Sequence, residues 1–531
     1  MDVVDVDVVV IGGGVPGLAA VQALALAERS VLLVTEELVL GEECVTAEAW
    51  QASHGAVDLG LTYWSPAQNY AFQELVEKQL ELVETQLPSD KEWVFELRDG
   101  TLHHSPGEKE VFPGGELADR LIDELDDLSL LVGLDPRRPH RALDAAELDA
   151  HTVASWVEAW FDRQPDADAV RRDLVRQSLA AGLRAVFGAE LHEIGMLYLL
   201  HYGASAGTFG WLVVPVGAFA VRFRDGARSL VGAFEAALGL GTHGPPVWRG
   251  VQVEAVRHLS TGVEVQVRGL PLVRAQRAIV AGPPASWPDL PITFDDPALA
   301  SQWAARLALA REVRHGRCIR AFVSFRSPFW LEAGLQATVL ATREPAAGPI
   351  AWTLDHSWPE GHPQAPSHPY VVACNLSGAY ADHWRVRTRA DRREAVIAQL
   401  ERILGPRTRQ ELVDDGLDYL ENLDQPGGSI VGTAPVIGAG VLTRLGSAFE
   451  LLGDEVGRLG VASRVLAEQW SGTLEGALHA GDRAGTRAAR ALDTPLLPTP
   501  GGPVAQAAAG AMPLRRPVVR CPARGRRSRR S

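Results

Sequence analysis

A glycine-rich turn near the amino terminus constrains this chain more than any other feature. The segment from Val8 to Val34 reads as an apolar strand, the turn Gly12-x-Gly14-x-x-Gly17, an alanine-rich helix and a second strand. Such glycines permit a tight turn and close approach of a phosphate, while backbone N–H groups at the helix start attract an anion. The segment therefore predicts a doubly wound α/β fold that binds the pyrophosphate of a dinucleotide.

The end of the second predicted strand departs from this pattern. Thr35 stands where such folds usually place a carboxylate for the ribose, and Glu36 follows it. We therefore expect Glu36, or a backbone contact, to hold the ribose. If neither does so, affinity for the dinucleotide will be weak.

Composition excludes several classes of function. The chain has 531 residues and a formal net charge of -15, which argues against a general nucleic-acid binder. The sequence begins directly with a predicted strand, which predicts no signal peptide, and no apolar run approaches the roughly 20 residues that span a bilayer. The four cysteines are widely spaced, which argues against a zinc site or a disulfide framework and favours a reducing cytoplasm (Cys44, Cys318, Cys374, Cys521).

Later segments predict how the chain continues. Residues 72–187 show mostly helical spacing, whereas residues 251–269 alternate around a Ser-Thr-Gly turn and predict a hairpin. The stretch "AFELLGDE" at 448–455 reads as a strand, and a helix begins near Ser471. Beyond about Pro495 the composition becomes rich in Pro, Ala and Arg, which predicts a disordered tail over 493–531. The alternative is a basic anchor for nucleic acid or an acidic surface.

A second pair of glycine-bearing segments favours FAD over NAD. The predicted strand ending near residue 455 delivers Gly453, Asp454 and Glu455, and Gly472 opens the last helix. Two separated termini aimed at one elongated ligand suit the pyrophosphate and ribityl chain of FAD.

Several segments, in order along residues 5–490, resemble the flavin-containing amine oxidase superfamily of monoamine, polyamine and L-amino acid oxidases. After the glycine turn come "VDLGLTYWSPAQNYAFQEL", "FRDGARSLVGAFEAAL", the hairpin with its strand "RAIVAGPP", and "IRAFVSFRSPFW". The closing "WSGTLEGALHAGDRA" is the most specific match.

The resemblance implies an α/β fold in which a Rossmann-like FAD-binding domain of the GR2 type is interleaved with an α+β substrate-binding domain. We expect the FAD domain to comprise residues 1–80, 225–290 and 425–492. The substrate domain would comprise residues 81–224 and 291–424.

The resemblance also implies cofactor contacts. The turn would hold the FAD pyrophosphate, Val256 would contact adenine through its backbone, and Glu455 would bind near the ribityl chain. Trp470 would flank the flavin ring, beside Gly472 to Leu474. The implied cofactor-binding set is Gly12, Gly13, Gly14, Val15, Pro16, Gly17, Glu36, Val256, Gly453, Asp454, Glu455, Gly472 and Leu474.

Three departures from the family pattern stand near the implied site. The family's "GGR" after the second strand is Gly41-Glu42-Glu43 here, so an arginine near the cofactor is missing. Arg320 takes the place of a lysine that assists reaction with oxygen, and no lysine follows Lys109. Arg320 would bind a substrate carboxylate, preserve the positive charge or pair with an internal acid. Thr473 replaces a tyrosine of the aromatic substrate cage.

Six aromatic residues are candidates for cavity walls, although core packing is the ordinary role of each (Tyr63, Trp64, Trp211, Phe219, Trp330, Trp352). No metal-binding spacing is present in the sequence.

The implied activity is oxidation of a C–N bond in an amine or amino acid, with hydride transfer to flavin N5 and O2 as acceptor. Arg320, Trp470 and Thr473 are the implied catalytic residues. One alternative is a flavin desaturase or dehydrogenase that tailors a secondary metabolite or polyene and uses another electron acceptor. A cofactor-free relative is a further alternative, and a homodimer is left open.

Overall fold

The computed structural model describes most of the chain up to residue 493. The described residues are 3–47, 50, 53–65, 67–85, 88–107, 112–213, 219–359, 361–363, 365, 368–413, 417–424, 434–444 and 448–493. The predicted disordered tail lies outside them, apart from Asp493, as does most of the glycine-rich stretch at 424–440.

The strands, in chain order, are β1 (Val3–Ile11), β2 (Val31–Val34), β3 (Tyr63–Trp64), β4 (Leu82–Glu84), β5 (Glu92–Glu96), β6 (Leu102–Pro106), β7 (Val221–Phe223), β8 (Val247–Trp248), β9 (Val253–His258), β10 (Val263–Val267), β11 (Leu272–Ala281), β12 (Ile292–Phe294), β13 (Val313–His315), β14 (Cys318–Phe325), β15 (Leu335–Ala341), β16 (Trp352–Asp355), β17 (Tyr370–Ser377), β18 (Tyr419–Glu421), β19 (Pro435–Ile437) and β20 (Leu459–Ala462).

The helices are α1 (Val15–Leu26), α2 (Asn69–Lys78), α3 (Glu116–Val132), α4 (Ala145–Ala150), α5 (Val153–Phe161), α6 (Ala169–Phe187), α7 (Met196–Ser205), α8 (Phe209–Val213), α9 (Arg228–Leu238), α10 (Pro297–Ala310), α11 (Phe329–Glu332), α12 (Ala379–Trp384), α13 (Arg389–Leu404), α14 (Arg407–Gln410), α15 (Ala448–Gly453) and α16 (Leu474–Asp493).

The larger sheet has eight strands in the order β12-β9-β10-β11-β1-β2-β8, and β20 also pairs with β11. Strand β1 runs parallel to both β2 and β11, and β11 runs parallel to β20. Val8, Val9 and Val10 of β1 are fully buried, as expected of a strand covered on both faces. The predicted doubly wound α/β fold is therefore confirmed.

The second sheet has seven strands in the order β18-β14-β17-β16-β15-β5-β6. Its strands come from 92–106, 318–377 and 419–421, between the segments that build the larger sheet. A two-stranded ribbon of β13 and β19 joins residues from both predicted domains. Strands β4, β5 and β6 interrupt the region that the sequence predicted as mostly helical.

Helices α1 and α16 pack closely on each other. A Cβ at Gly481 would overlap the carbonyl oxygen of Pro16, and one at Gly485 would lie 2.6 Å from the carbonyl oxygen of Ala20. Small residues on the last helix therefore bring its amino-terminal turn toward the glycine turn. Among the described residues, no helix is long and apolar enough to cross a membrane.

Candidate cofactor and substrate site

A cleft of about 490 Å³ lies where four parallel strands of the larger sheet end. It is lined by the residues that follow β1, β2, β11 and β20, because carboxyl ends of parallel strands share one edge. The backbone N–H of Gly12 donates to Val34 (2.8 Å), and that of Gly282 donates to Ala462 (2.9 Å). The lining residues are Ile11, Gly12, Gly14, Pro16, Val34, Thr35, Glu36, Glu37, Glu42, Glu43, Val253, Val280, Ala281, Gly282, Pro283, Ser286, Asp289, Leu290, His315, Ser463 and Arg464.

The glycine turn forms one wall of this cleft. Gly12, Gly14 and Pro16 line it, whereas Gly13, Val15 and Gly17 lie behind that surface. A Cβ at Gly17 would overlap the carbonyl oxygen of Gly12, so only glycine permits this approach of helix to strand.

The end of β2 brings two carboxylates to the cleft, where the sequence predicted Glu36 alone. Glu36 and Glu37 both line the cleft, but the hydroxyl of Thr35 donates to Glu37 Oε2 at 2.9 Å. Burial, the largest cause, raises the pKa of Glu37. Thr35 thus orients Glu37, which sequence reasoning passed over in favour of the more exposed Glu36.

The Glu42-Glu43 segment returns to the glycine turn. The Gly41 N–H donates to the Gly13 carbonyl at 2.8 Å, and Glu43 Oε1 accepts the N–H of Val15 at 2.9 Å. Burial raises the pKa of Glu43, and burial together with the charge of Glu37 raises that of Glu42 to about 7. A carboxylate therefore lies at the start of α1, where the family pattern has an arginine nearby.

The prediction for Gly453, Asp454 and Glu455 requires correction. The predicted strand at 448–455 is wrong, because residues 448–453 form α15 and the strand is β20 at 459–462. The three residues precede β20 and lie away from the cleft, with Gly453 and Asp454 beside a separate cavity of about 240 Å³. Glu455 forms an ion pair with Arg277 at 2.5 Å.

Ser463 and Arg464 follow β20 and enter the cleft instead. Arg464 is the one arginine among the described lining residues, and its charge partly offsets the effect of burial on Glu42 and Glu43. The signal for these residues was the short apolar run "LGVA" directly before "SRVL", which is easily overlooked beside the longer "AFELLG".

The Trp470–Leu474 turn is bonded to the segment that carries Arg464. The Gly472 N–H donates to the Arg464 carbonyl at 2.9 Å, and the Ser471 hydroxyl donates to the Val465 carbonyl at 3.0 Å. Trp470 is buried and has a φ of 49°, a strained conformation for a residue with a side chain. The turn is thus held in one geometry beside the cleft.

Two residues that the sequence did not single out stand against Gly472. A Cβ at Gly472 would overlap the Pro435 ring and would lie 3.4 Å from the Tyr202 hydroxyl. Burial raises the pKa of Tyr202, so this hydroxyl keeps its proton. Leu474 packs in the core beneath α1, and the Thr473 hydroxyl donates to the Trp470 carbonyl at 2.7 Å.

Val256 also differs from expectation. It is fully buried in β9, and its backbone N–H donates to the Pro291 carbonyl at 3.0 Å. Val253, at the beginning of the same strand, lines the cleft.

Arg320 is buried in β14, and neutral groups accept its hydrogen bonds. Nη1 donates to the Gly60 carbonyl (2.5 Å) and the Thr62 hydroxyl (2.6 Å), and Nε donates to the Asn375 side chain (3.0 Å). These bonds tie β14 to the "DLGLTYW" segment. No carboxylate is among these acceptors, which disfavours the interpretation as an ion pair.

Three of the six aromatic candidates form one cluster. Tyr63 packs edge-on against Phe219 at 6.1 Å, and Phe219 packs on Trp352 at 5.1 Å. The Tyr63 hydroxyl also pairs with His356 Nδ1 at 2.8 Å. Trp330 belongs to the same core but packs on Phe325 and Phe329, and Trp64 lies in the core of the larger sheet. The side chain of Trp211 lies outside the described residues.

The backbone of the cleft fits FAD, but the charge of one side chain, Glu43, would repel its pyrophosphate. The glycine turn, the start of α1 and the sheet edge form a cradle that a Cβ at Gly12 or Gly17 would fill. The Glu43 carboxylate, however, accepts an N–H that a pyrophosphate would also use.

Comparison with known proteins identifies the family. Residues 17–489 match the family described as "Flavin containing amine oxidoreductase". A flavin-containing amine oxidase of Oncorhynchus mykiss is 25% identical over 491 residues, covering 90% of this chain and 84% of that protein. Amine oxidase B of Cavia porcellus is 26% identical over 488 residues, covering 90% and 85%.

Solved structures agree in fold. Putrescine oxidase bound to putrescine is 24% identical with a TM-score of 0.75, covering 93% of this chain and 100% of that one. Cyclohexylamine oxidase from Brevibacterium oxydans IH-35A is 22% identical with a TM-score of 0.75, covering 92% and 100%. The chain belongs to the flavin-containing amine oxidoreductase family and is an FAD-dependent oxidoreductase.

Proposed function

We propose that this protein oxidises the C–N bond of an amine that lacks a carboxylate, and that O2 is the electron acceptor. When bound, FAD would supply the redox chemistry, carrying the two electrons and two hydrogens that the amine loses on becoming an imine to O2, which becomes hydrogen peroxide. The matched relatives are amine oxidases, which favours this reaction over oxidation of a C–C bond by a desaturase or dehydrogenase.

The residues proposed to hold FAD come from the ends of β1, β2 and β20 and from the turn that opens α16. The glycine turn and Arg464 would hold the pyrophosphate, Glu37 or Glu36 the ribose, and the Trp470–Leu474 turn the flavin ring. The observation that carries this assignment is that Gly472 donates to the Arg464 carbonyl, which joins the turn to the cleft wall.

The electrostatics of the aromatic cluster support a neutral amine as substrate. Burial raises the pKa of Tyr63 and lowers that of His356, so both groups are uncharged near neutral pH. The charges of Arg222 and Arg320 act on both groups, and those of Asp355 and Asp58 oppose them at Tyr63. A buried, water-poor site disfavours an ammonium group, and an amine must lose its proton before it releases hydride.

The bonds of Arg320 argue against an amino-acid substrate. Its Nη1 and Nε already donate to Gly60, Thr62 and Asn375. A forked contact with a substrate carboxylate pairs Nη2 with either Nε or Nη1, so it would require breaking one of these buried bonds. We therefore assign to Arg320 the support of the 58–64 segment and a positive charge near the substrate.

Anaerobic reduction of the holoprotein tests this function. Putrescine, cyclohexylamine and benzylamine would each be mixed with the protein, beside amino acids of similar side chain, and the absorbance of oxidised flavin followed. We expect bleaching by at least one amine, peroxide after O2 is admitted, and no bleaching by the amino acids. Bleaching by amino acids alone would contradict the assignment of Arg320, and reoxidation without peroxide would contradict the acceptor.

An Arg320→Lys variant separates the two roles of this residue. Lysine keeps the charge but cannot reproduce the forked hydrogen bonds. We expect a melting temperature lowered by several degrees and flavin reoxidation changed by roughly tenfold, since charge position sets that rate. An unchanged reoxidation rate would leave Arg320 with the structural role alone.

A further inference from the structure

Glu43 occupies a position at the start of α1 that an anionic ligand needs. Its Oε1 accepts the Val15 N–H at 2.9 Å, and its Oε2 lies 3.1 Å from where a Cβ on Gly14 would stand. The start of a helix carries a partial positive charge and unpaired N–H groups that attract one anion. The Glu43 carboxylate and a pyrophosphate would therefore compete for the same position at the start of α1.

The surroundings of Glu43 are strongly acidic. Five carboxyl groups line the described cleft, facing one arginine (Glu36, Glu37, Glu42, Glu43, Asp289; Arg464). His315 of β13 also lines it, and burial lowers its pKa to about 4, so it adds no positive charge near neutral pH. A pyrophosphate entering this cleft is repelled by like charges when the glutamates are ionised.

We propose that Glu43 is a built-in competitor of the FAD pyrophosphate, which binds the start of α1 only when Glu43 moves aside or takes up a proton. The proposal rests on FAD as cofactor and concerns how tightly it is held, independent of which substrate is oxidised. The positive charge of Arg464 acts on both Glu42 and Glu43, and we expect it to pair with the pyrophosphate when FAD binds.

A dependence of FAD affinity on pH follows. The pKa of Glu42 is about 7, so this group carries a proton in mildly acidic solution and loses it as pH rises, and burial raises the pKa of Glu43 above its ordinary value. The protonated forms do not repel a pyrophosphate. FAD should therefore bind more tightly at about pH 6 than at about pH 8.5, by up to tenfold per pH unit for each linked proton.

Titration of FAD-free protein with FAD, followed by flavin fluorescence, tests the proposal without any substrate. We expect the dissociation constant of the natural protein to rise by roughly tenfold or more between about pH 6 and pH 8.5. In Glu43→Gln the constant should be roughly tenfold smaller at the higher pH, and its dependence on pH should be shallower. Glu42→Gln gives a second measurement if Glu43→Gln does not fold.

Glu475→Gln is the matched control. Glu475 is also a glutamate at a helix start, where Oε1 and Oε2 accept the N–H groups of Tyr70 and Ala71 at 2.8 and 2.7 Å, but it does not line the cleft. This variant should keep the natural pH dependence of FAD binding. An affinity that is independent of pH, or a slope that Glu43→Gln and Glu42→Gln leave unchanged, would overturn the proposal.

Failure of this inference and failure of the proposed function give different results. If FAD affinity depends on pH as expected but no amine bleaches the flavin, the proposal on Glu43 stands and the proposed substrate falls. If an amine is oxidised and FAD affinity ignores both pH and Glu43→Gln, the reverse holds.

Discussion

The starts of α1 and α2 show two uses of the same side chain. At α2, the buried Glu475 carboxylate accepts the N–H groups of Tyr70 and Ala71, one with each oxygen. At α1, the half-buried Glu43 accepts only the Val15 N–H and borders a cleft of about 490 Å³. The start of α2 is permanently capped by Glu475, whereas the start of α1 is capped by Glu43, a group that a ligand can replace.

A third helix start follows the α2 arrangement. Asp58 of the "DLG" segment accepts the Ala227 N–H with both oxygens (2.9 and 3.0 Å) and the Thr46 hydroxyl (2.6 Å), just before α9. Burial raises its pKa to about 6, so it is mainly ionised at neutral pH. The contrast indicates that carboxylates at helix starts are structural elements here, except where the sheet edge opens beside α1.

The largest effect is expected from closing the turn before α1. In Gly17→Ala the new Cβ would overlap the Gly12 carbonyl oxygen, so β1 and α1 must separate. Overpacking of this kind costs roughly 1–3 kcal/mol, and we expect FAD binding to be lost. Urea unfolding and the FAD content of the purified protein would measure both.

Gly232→Ala provides the control for that change. Gly232 lies in α9, a Cβ added there would meet nothing within 4 Å, and alanine favours a helix. Stability should rise by up to about 1 kcal/mol while FAD content stays the same. Equal damage from both variants would contradict the special role of the turn.

Removing the charge of Glu475 tests the permanent cap at the start of α2. Glu475→Gln leaves a single acceptor oxygen for two N–H groups, so one buried donor loses its partner. We expect a loss of about 1–3 kcal/mol in the free energy of unfolding, measured by urea denaturation. A variant as stable as the natural protein would show that Glu475 is not essential to this helix start.

The pH dependence of stability tests Glu43, the replaceable cap at the start of α1, together with its neighbour Glu42. Burial raises the pKa of Glu43 and, with the charge of Glu37, raises that of Glu42 from its usual 4.5 to about 7. Between these values the folded protein binds more protons than the unfolded chain, so stability falls as pH rises from about 4.5 through 7. Because Glu42 is partly open to solvent, we expect a loss of only about 1 kcal/mol in FAD-free protein.

Denaturation of FAD-free Glu42→Gln and Glu43→Gln across this range would measure that loss. Both variants should flatten the decline, since a neutral amide has no proton to lose. A natural protein that gains stability between about pH 5 and 7.5 would show that the two carboxyl groups are not shielded as described.

The smallest effect on stability is expected at the start of α16, which is capped by the hydroxyl of Thr473 and not by a carboxylate. The Thr473 hydroxyl accepts the Gly476 N–H at 3.5 Å and donates to the Trp470 carbonyl at 2.7 Å. Thr473→Ala should lower stability by about 1 kcal/mol, and Thr473→Ser should restore most of it. If serine restores stability while KM for an amine still changes, Thr473 also contacts substrate.

Local patterns predicted the elements that they fully encode. The run "VVVIGGGVPG" specifies β1, the turn and the start of α1, because its apolar residues, glycines and proline each favour one local conformation. The alternating segment at 251–269 likewise forms the β9–β10 hairpin. Both predictions depend on residues close together in sequence.

The errors arose where two local interpretations compete. "AFELLG" is short and apolar, and such a run cannot be told from a strand by periodicity alone. Its assignment as a strand moved the expected cofactor contact to Glu455, whereas the strand that reaches the cleft ends at Ala462 and delivers Arg464. The same limit applies to Val256, since only strand register decides whether it or Val253 lines the cleft.

The sequence by itself determined that a dinucleotide-binding turn lies near residue 12 and that the "WSGTLEGALHAGDRA" motif is typical of a flavin family. Both motifs are recognisable because each acts through its own backbone. Only the tertiary structure decided which glutamate stands at the start of α1. Glu36, Glu37, Glu42 and Glu43 are chemically alike, and the fold-back of Gly41 onto Gly13 selects Glu43 for this place. Such a choice depends on a contact between residues 28 positions apart, and no local propensity encodes it.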